Sequence, residues 1–522
     1  MRGRTVRRMA WCIAAALMAL PGAAWAAGFD APSSNDPSQQ LDGAPSPAPY
    51  TNVQRQDTPN DPKYDNAEPP PPPQEDGSTP STNIFDERFD LFGFASERTR
   101  NSARYRDPAG PNFGAAPGNN GMVSGFNAAG AWKISRGVPS VEVAVLDTGI
   151  NWDNEGVRRQ VALNREELPL PQRANGTTGA YDLDGDGVFT VDDYANDPRV
   201  GDPAPTGQDL IRAQGFSNGV DNDGNGYVDD IAGWDFFDDD NDPEDSSSYF
   251  AAGNHGTGRA LEAAERGNDG RGSIGVCPKC QYLPMRVWDT FVSDQNNFFM
   301  AVTYATDNDA EVILGADGGL YHSEFAERAS QYAYEHGVSQ VYSGDDLNTG
   351  NHNYPAAYDH TMLIEGVAAD NEGLGANLPS NPNDPGFRGF LAGLLARTGI
   401  GTTAPVATYF RGANTTQFGG KSSISMHGPT GSTNTGKAAG AAALVISAAR
   451  ERGIDLSADE LRILLEQTAE DILPLDTTGT GNPDPAQKGF ETHFGYGRAN
   501  VGEAVREASE GRIPPELSLI HI

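Results

Sequence analysis

Three side chains, far apart in the sequence, are of the types that transfer an acyl group. Asp147 opens Asp147-Thr148-Gly149, His255 lies in Asn254-His255-Gly256-Thr257-Gly258-Arg259-Ala260, and Ser432 lies in Thr430-Gly431-Ser432-Thr433-Asn434-Thr435-Gly436. A serine hydroxyl becomes a useful nucleophile beside a base, and histidine serves as that base when a carboxylate fixes its tautomer. Asp, His and Ser follow one another here in an order that such sets adopt. Each also has a plainer reading. D-T-G occurs in many turns and in aspartic proteases, a lone histidine is more often structural, and serine is a common helix N-cap. Taken together they point to nucleophilic catalysis, with Ser432 attacking, His255 as general base and Asp147 as the orienting acid.

Such residues need rigid elements beneath them. The run from Val141 to Leu146 is almost continuously apolar, as in a strand buried on both faces of a parallel sheet, and Asp147 follows its C-terminal end. Further strands are expected over residues 282–287, 312–314, 338–342 and 362–367, with helices over 325–335 and 438–452. Alternating strands and helices predict the α/β class, as a three-layer α/β/α domain with a mostly parallel central sheet. Ligands in such folds sit beyond the carboxyl ends of the strands, where Asp147 lies. Ser432 is expected just before the N-terminal turn of the small-residue helix. Unpaired backbone N–H groups and the helix dipole favour developing negative charge there.

Other segments carry a resemblance. Gly275-Val276-Cys277-Pro278 leads into Leu283-Pro284-Met285-Arg286-Val287, and Asn353-Tyr354-Pro355-Ala356 forms a later turn. Leu461 to Ile472 and Gly495-Tyr496-Gly497-Arg498-Ala499-Asn500 close the pattern. With the three motifs above, these segments resemble the subtilisin-like family (subtilases) over residues 128–505. The resemblance implies a secreted serine endopeptidase that cleaves peptide bonds through an Asp147–His255–Ser432 triad and an acyl-enzyme. Its substrate is then a protein or peptide, and the backbone N–H of Ser432 is one oxyanion donor. Ala316-Asp317-Gly318-Gly319 resembles the family segment that pairs with extended substrate. Asp317 there either favours basic side chains or is a solvated carboxylate.

Two positions depart from the family pattern. The serine motif reads T-G-S-T-N-T-G where the family has G-T-S-M-A-x-P, and Asp345 stands where an asparagine donates to the oxyanion. An ionised carboxylate only accepts hydrogen bonds and repels an oxyanion. Losing that donor costs on the order of a hundred- to a thousandfold in rate. A slow enzyme is therefore expected. The alternatives are a catalytically dead subtilase scaffold acting as a calcium-stabilised binding protein, or a calcium-dependent surface module.

Calcium enters through the segment from Asp182 to Asp245, which holds nineteen acidic and two basic residues. Asp182, Asp184, Asp186, Gly187 and Asp193 follow the alternating spacing of calcium loops, with the Val188 carbonyl as a further ligand. A second loop offers Asp221, Asp223, Asn225, Tyr227 (through its carbonyl) and Asp229. The plainer reading of both is a solvated acidic surface.

The formal charge of −35, from 72 acidic and 37 basic residues, argues against nucleic acid and anionic lipid as partners. A monomer without membrane anchoring is expected. Residues 1–26 combine four arginines, an apolar stretch and Ala24-Trp25-Ala26, the pattern of a cleaved signal peptide, so the mature chain is expected to be extracellular or periplasmic. Residues 27–85 are rich in Pro, Ser, Asn and Asp and read as a disordered linker or pro-segment. The peptidase domain is expected over 86–510, with 182–245 as its acidic calcium-binding insertion. A tail over 511–522 matches nothing in that domain. Cys277 and Cys280, the cysteines outside the signal, are expected to form a structural disulfide in an exported chain.

Overall fold

Strand β1 (Glu142–Asp147) sends alternate side chains to opposite faces of the sheet. Val143 and Val145 enter one apolar core, while Ala144 and Leu146 enter a second. Two helical layers follow from that double burial. The computed structural model describes Leu91 and residues 126–515, apart from 247–253, 270, 290–294, 345–349, 351, 369–410, 413–418, 429, 470–489, 491 and 493. The expected signal peptide and linker therefore lie outside the described residues, as do 516–522.

The remaining strands are β2 (Trp234–Asp235), β3 (Gln281–Arg286), β4 (Val312–Gly315), β5 (Ser339–Ser343), β6 (Thr361–Ala368), β7 (Arg411–Gly412) and β8 (Ser422–His427). They form one sheet in the order β2-β3-β1-β4-β5-β6-β7, with β8 also paired to β6. Every pairing is parallel except β6 with β7. Strands β3 and β4 flank β1 on opposite sides, so the connections diverge at the carboxyl end of β1. That is the position at which α/β sheets open a crevice.

The longer helices are α1 (His255–Ala264), α2 (Gln295–Asp307), α3 (Glu324–Glu335), α4 (Gly431–Arg450), α5 (Ala458–Thr468) and α6 (Val501–Ser509). The first core takes Ala260 and Ala263 of α1 with Ala438, Ala442 and Leu444 of α4. The second takes Phe298 and Phe299 of α2 with Ala326, Ala329 and Ala333 of α3. The fold is thus a three-layer α/β/α subtilisin-like domain. Strands β1, β3, β4, β5 and β6 start and end within one residue of the five expected from the sequence, whereas β2, β7 and β8 were not among them.

Helix α4 differs more. It begins at Gly431 rather than near Ala438, and its N-cap is Thr430, whose hydroxyl accepts from the Thr433 N–H at 3.3 Å. Thr, Asn and Gly are weak helix formers. Burial of Gly431, Ser432, Asn434 and Thr435 supports this turn instead. Ser432 is therefore not the N-cap that its plainer reading would make it.

Cys277 and Cys280 are bonded as a disulfide. Both are fully buried beside Gly137 and Ser447, which ties the turn before β3 to helix α4.

Candidate active site

Asp147 is the last residue of β1 and is completely buried. Its Oδ1 accepts from the Thr148 N–H at 2.7 Å and meets His255 Nδ1, also at 2.7 Å. This contact places the Nδ1 proton between the two groups, which leaves Nε2 of a neutral ring as the acceptor. His255 starts α1, and the packing of that helix on the strand end depends on the next residue. A side chain at Gly256 would bring its Cβ to 2.3 Å from the Gly149 carbonyl oxygen, as well as 3.1 Å from Asp147 Cβ, so only glycine fits this approach.

Further contacts hold the pair. Thr148 Oγ1 donates to Asp245 at 2.5 Å and accepts from the Gly256 N–H at 3.1 Å. Thr257 Oγ1 accepts from the Asn151 N–H at 2.8 Å, and the Trp288 ring lies 5.3 Å from the imidazole. Asp245, Trp288 and Thr148 have no role in the sequence reading, although Thr148 is the middle residue of the D-T-G motif.

Ser432 is the second residue of α4 and 8% exposed. Its hydroxyl donates to the Ala316 carbonyl at 3.4 Å, just past the end of β4 and next to β1. Helix α4 lies close against α1, since a Cβ at Gly440 would meet the Ala263 carbonyl oxygen at 2.6 Å. Asp147 and the contact of Ser432 with Ala316 thus lie at the carboxyl ends of the adjacent strands β1 and β4, with His255 held on Asp147. On α1, Arg259 Nη1 lies 3.2 Å from His255 Nε2, a contact absent from the sequence reading.

The segment expected to pair with substrate is partly occupied. Gly319 exchanges both backbone hydrogen bonds with Tyr354, at 2.9 and 2.7 Å. This pairing occupies the edge at Gly319. Asp317 is 9% exposed, which departs from the solvated carboxylate. Asp345, at the expected oxyanion position, lies outside the described residues.

The acidic insertion folds into more than loops, because it supplies edge strand β2. In its first loop Asp182, Asp184 and Asp193 bring carboxylate oxygens within 4.8 Å of one another. Asp186 stays out of this group and accepts from the Val188 N–H. In the second, Asp221 and Asp223 gather with Glu167, which the sequence reading missed because it lies well before the loop. Asp229 accepts instead from the N–H groups of Asn218 and Gly219, both at 2.7 Å. Asn225 Nδ2 donates to Asp223 and Asp230, and the Tyr227 ring packs on Trp234. Burial pushes the Asp193 and Glu167 carboxyls above the usual carboxylate range. A bound dication would offset that cost, and an all-oxygen donor set suits calcium.

A family model described as "Subtilase family" matches residues 139–497. Thermitase of Thermoactinomyces vulgaris is 27% identical over 281 residues, which cover 53% of this chain and 81% of that protein. The halolysin-like extracellular serine protease Nep of Natrialba magadii is 32% identical over 254 residues, covering 48% of this chain and 41% of Nep. A solved protease structure from Pseudoalteromonas arctica aligns with a TM-score of 0.43 at 17% identity, covering 74% of this chain and 95% of that one.

Proposed function

The chain belongs to the subtilase family of serine-type endopeptidases, and from that premise we propose that it is a secreted enzyme that cleaves peptide bonds through Asp147, His255 and Ser432. The observation that carries this reading is the 2.7 Å contact between His255 Nδ1 and Asp147 at the carboxyl end of β1, with Ser432 in the first turn of the buried helix alongside. Ser432 Oγ attacks the peptide carbonyl carbon while His255 Nε2 takes the hydroxyl proton. Collapse of the tetrahedral intermediate breaks the C–N bond, and the leaving amine takes that proton from His255. Water then attacks the acyl-enzyme with His255 again as base, releasing the carboxylic acid and restoring Ser432. Asp147 holds the ring and balances its charge during each transfer. Cleavage of an internally quenched peptide, stopped by a serine-directed phosphonate, tests this reading. Binding of peptides without cleavage would move the chain to the catalytically dead scaffold.

Asp345 follows β5 by two residues in the sequence, at the family's oxyanion asparagine. Restoring the donor with Asp345→Asn is expected to raise kcat by about a hundred- to a thousandfold with little change in KM. An unchanged kcat, in protein whose Ser432 still reacts with a phosphonate, would exclude Asp345 from the oxyanion site.

Two calcium ions are proposed, one held by Asp182, Asp184 and Asp193, the other by Glu167, Asp221 and Asp223. Carboxylates gathered this closely repel one another when no cation lies between them, so calcium stabilises the folded state by mass action. Chelation is expected to lower the melting temperature by roughly 5 °C or more. Asp184→Asn combined with Asp223→Asn should abolish that calcium dependence, which differential scanning calorimetry would read. Equal melting with and without calcium in the unaltered chain would remove the proposal.

Export rests on residues 1–26 and on the extracellular relative. No helix among the described residues is long and apolar enough to cross a membrane.

A further inference from the structure

One cation lies against the general base and takes no part in acyl transfer as described above. Arg259 lies four residues after His255 on α1, so the two side chains share a helix face. Its side chain is 9% exposed. Arg259 Nη1 is 3.2 Å from His255 Nε2. Its Nε and Nη2 donate to the two carboxylate oxygens of Glu262, each at 2.7 Å, and Nη2 also reaches Thr433 Oγ1 at 3.5 Å.

A guanidinium has only donors to offer. With Nδ1 turned to Asp147, the Nε2 lone pair that must take the Ser432 proton is already accepting from Arg259. Ser432 Oγ is directed to the Ala316 carbonyl. An imidazolium formed here would also face a second cation at short range. We propose that Arg259 is a latch on the general base: at rest it occupies Nε2 of His255, and Ser432 is activated only when the guanidinium has moved away. Its forked ion pair with Glu262 sets the resting position. This inference rests on the triad reading and makes Arg259 a positioning residue that acts through His255.

Replacing a buried pair by apolar side chains of similar size is often neutral or stabilising, whereas removing one partner strands the other. Arg259→Met is therefore paired with Arg259→Met/Glu262→Met, which leaves no unpaired carboxylate. Hydrogen bonds to charged groups are strong enough that releasing Nε2 should speed fluorophosphonate labelling of Ser432 by about tenfold or more. In peptide hydrolysis kcat should rise by a similar factor while KM stays within about twofold. Labelling of both variants at or below the rate of the unaltered chain would overturn the latch and keep the triad. No labelling of Ser432 in any of the three proteins would overturn both. If neither variant folds, the crystal structure of the unaltered chain with a phosphonate on Ser432 decides. Arg259 displaced from Nε2, with that nitrogen facing the adduct, supports the latch; Arg259 still on Nε2 overturns it.

Discussion

Ser432→Ala is expected to lower kcat for peptide hydrolysis by on the order of a millionfold, leaving only what substrate binding and oxyanion donors provide. Little stability should be lost with it. Among the described residues the hydroxyl makes one long hydrogen bond, at 3.4 Å to the Ala316 carbonyl, and Ala suits a helix as well as Ser does. A melting temperature within a few degrees of the unaltered chain would assign the loss to chemistry rather than unfolding. Adding His255→Ala to this variant should cost almost nothing further, because nucleophile and base act as one unit. Residual turnover within about a hundredfold of the unaltered chain would assign the attack to another group.

The second large effect is expected at Asp147. Asp147→Asn should reduce kcat by about a thousand- to ten-thousandfold. Two factors set that size. The negative charge facing the ring is lost, so the imidazolium formed in each transfer has no counter-ion. The amide must also choose an orientation. Its oxygen is favoured where Oδ1 now accepts from the Thr148 N–H and meets His255 Nδ1, which leaves the amide nitrogen at the Oδ2 position, where no described residue bonds to it. The opposite orientation would set N–H against the Thr148 N–H and reverse the histidine tautomer. Either outcome penalises proton transfer. Steady-state kinetics on a quenched peptide would measure the loss, and a decrease below about tenfold would reduce Asp147 to a packing role.

Much of the frame could be read from residue order because it rests on local patterns. The doubly buried β1 shows as an apolar run, and Asp147 follows from where that run ends. The N-terminus of α4 was harder. A Thr-, Asn- and Gly-rich segment hides a helical turn that burial and the Thr430 cap hold in place. Strand β2 was obscured for a related reason, since Trp234-Asp235 lies within the most acidic segment of the chain. Asp235 is tolerated in the sheet because Arg286 Nη1 donates to it at 2.7 Å.

The site shows the same division. Asp147, His255 and Ser432 were visible as motifs, yet Arg259 stood four residues from His255 and drew no notice. The (i, i+4) spacing to His255 and the (i, i+3) spacing to Glu262 were the available signal. Glu167 had none, because it lies 54 residues before Asp221 and only the fold brings them together. At Gly319 the peptide edge looked open, but pairing with Tyr354, which follows α3 and β5 in the sequence, closes it.

The most direct test is fluorophosphonate labelling of the purified, folded chain with calcium present, located by mass spectrometry and run beside Ser432→Ala. The account predicts one adduct, on Ser432, that the alanine variant lacks. An adduct on a different residue, or none between pH 5 and 9 in protein shown to be folded, would contradict it.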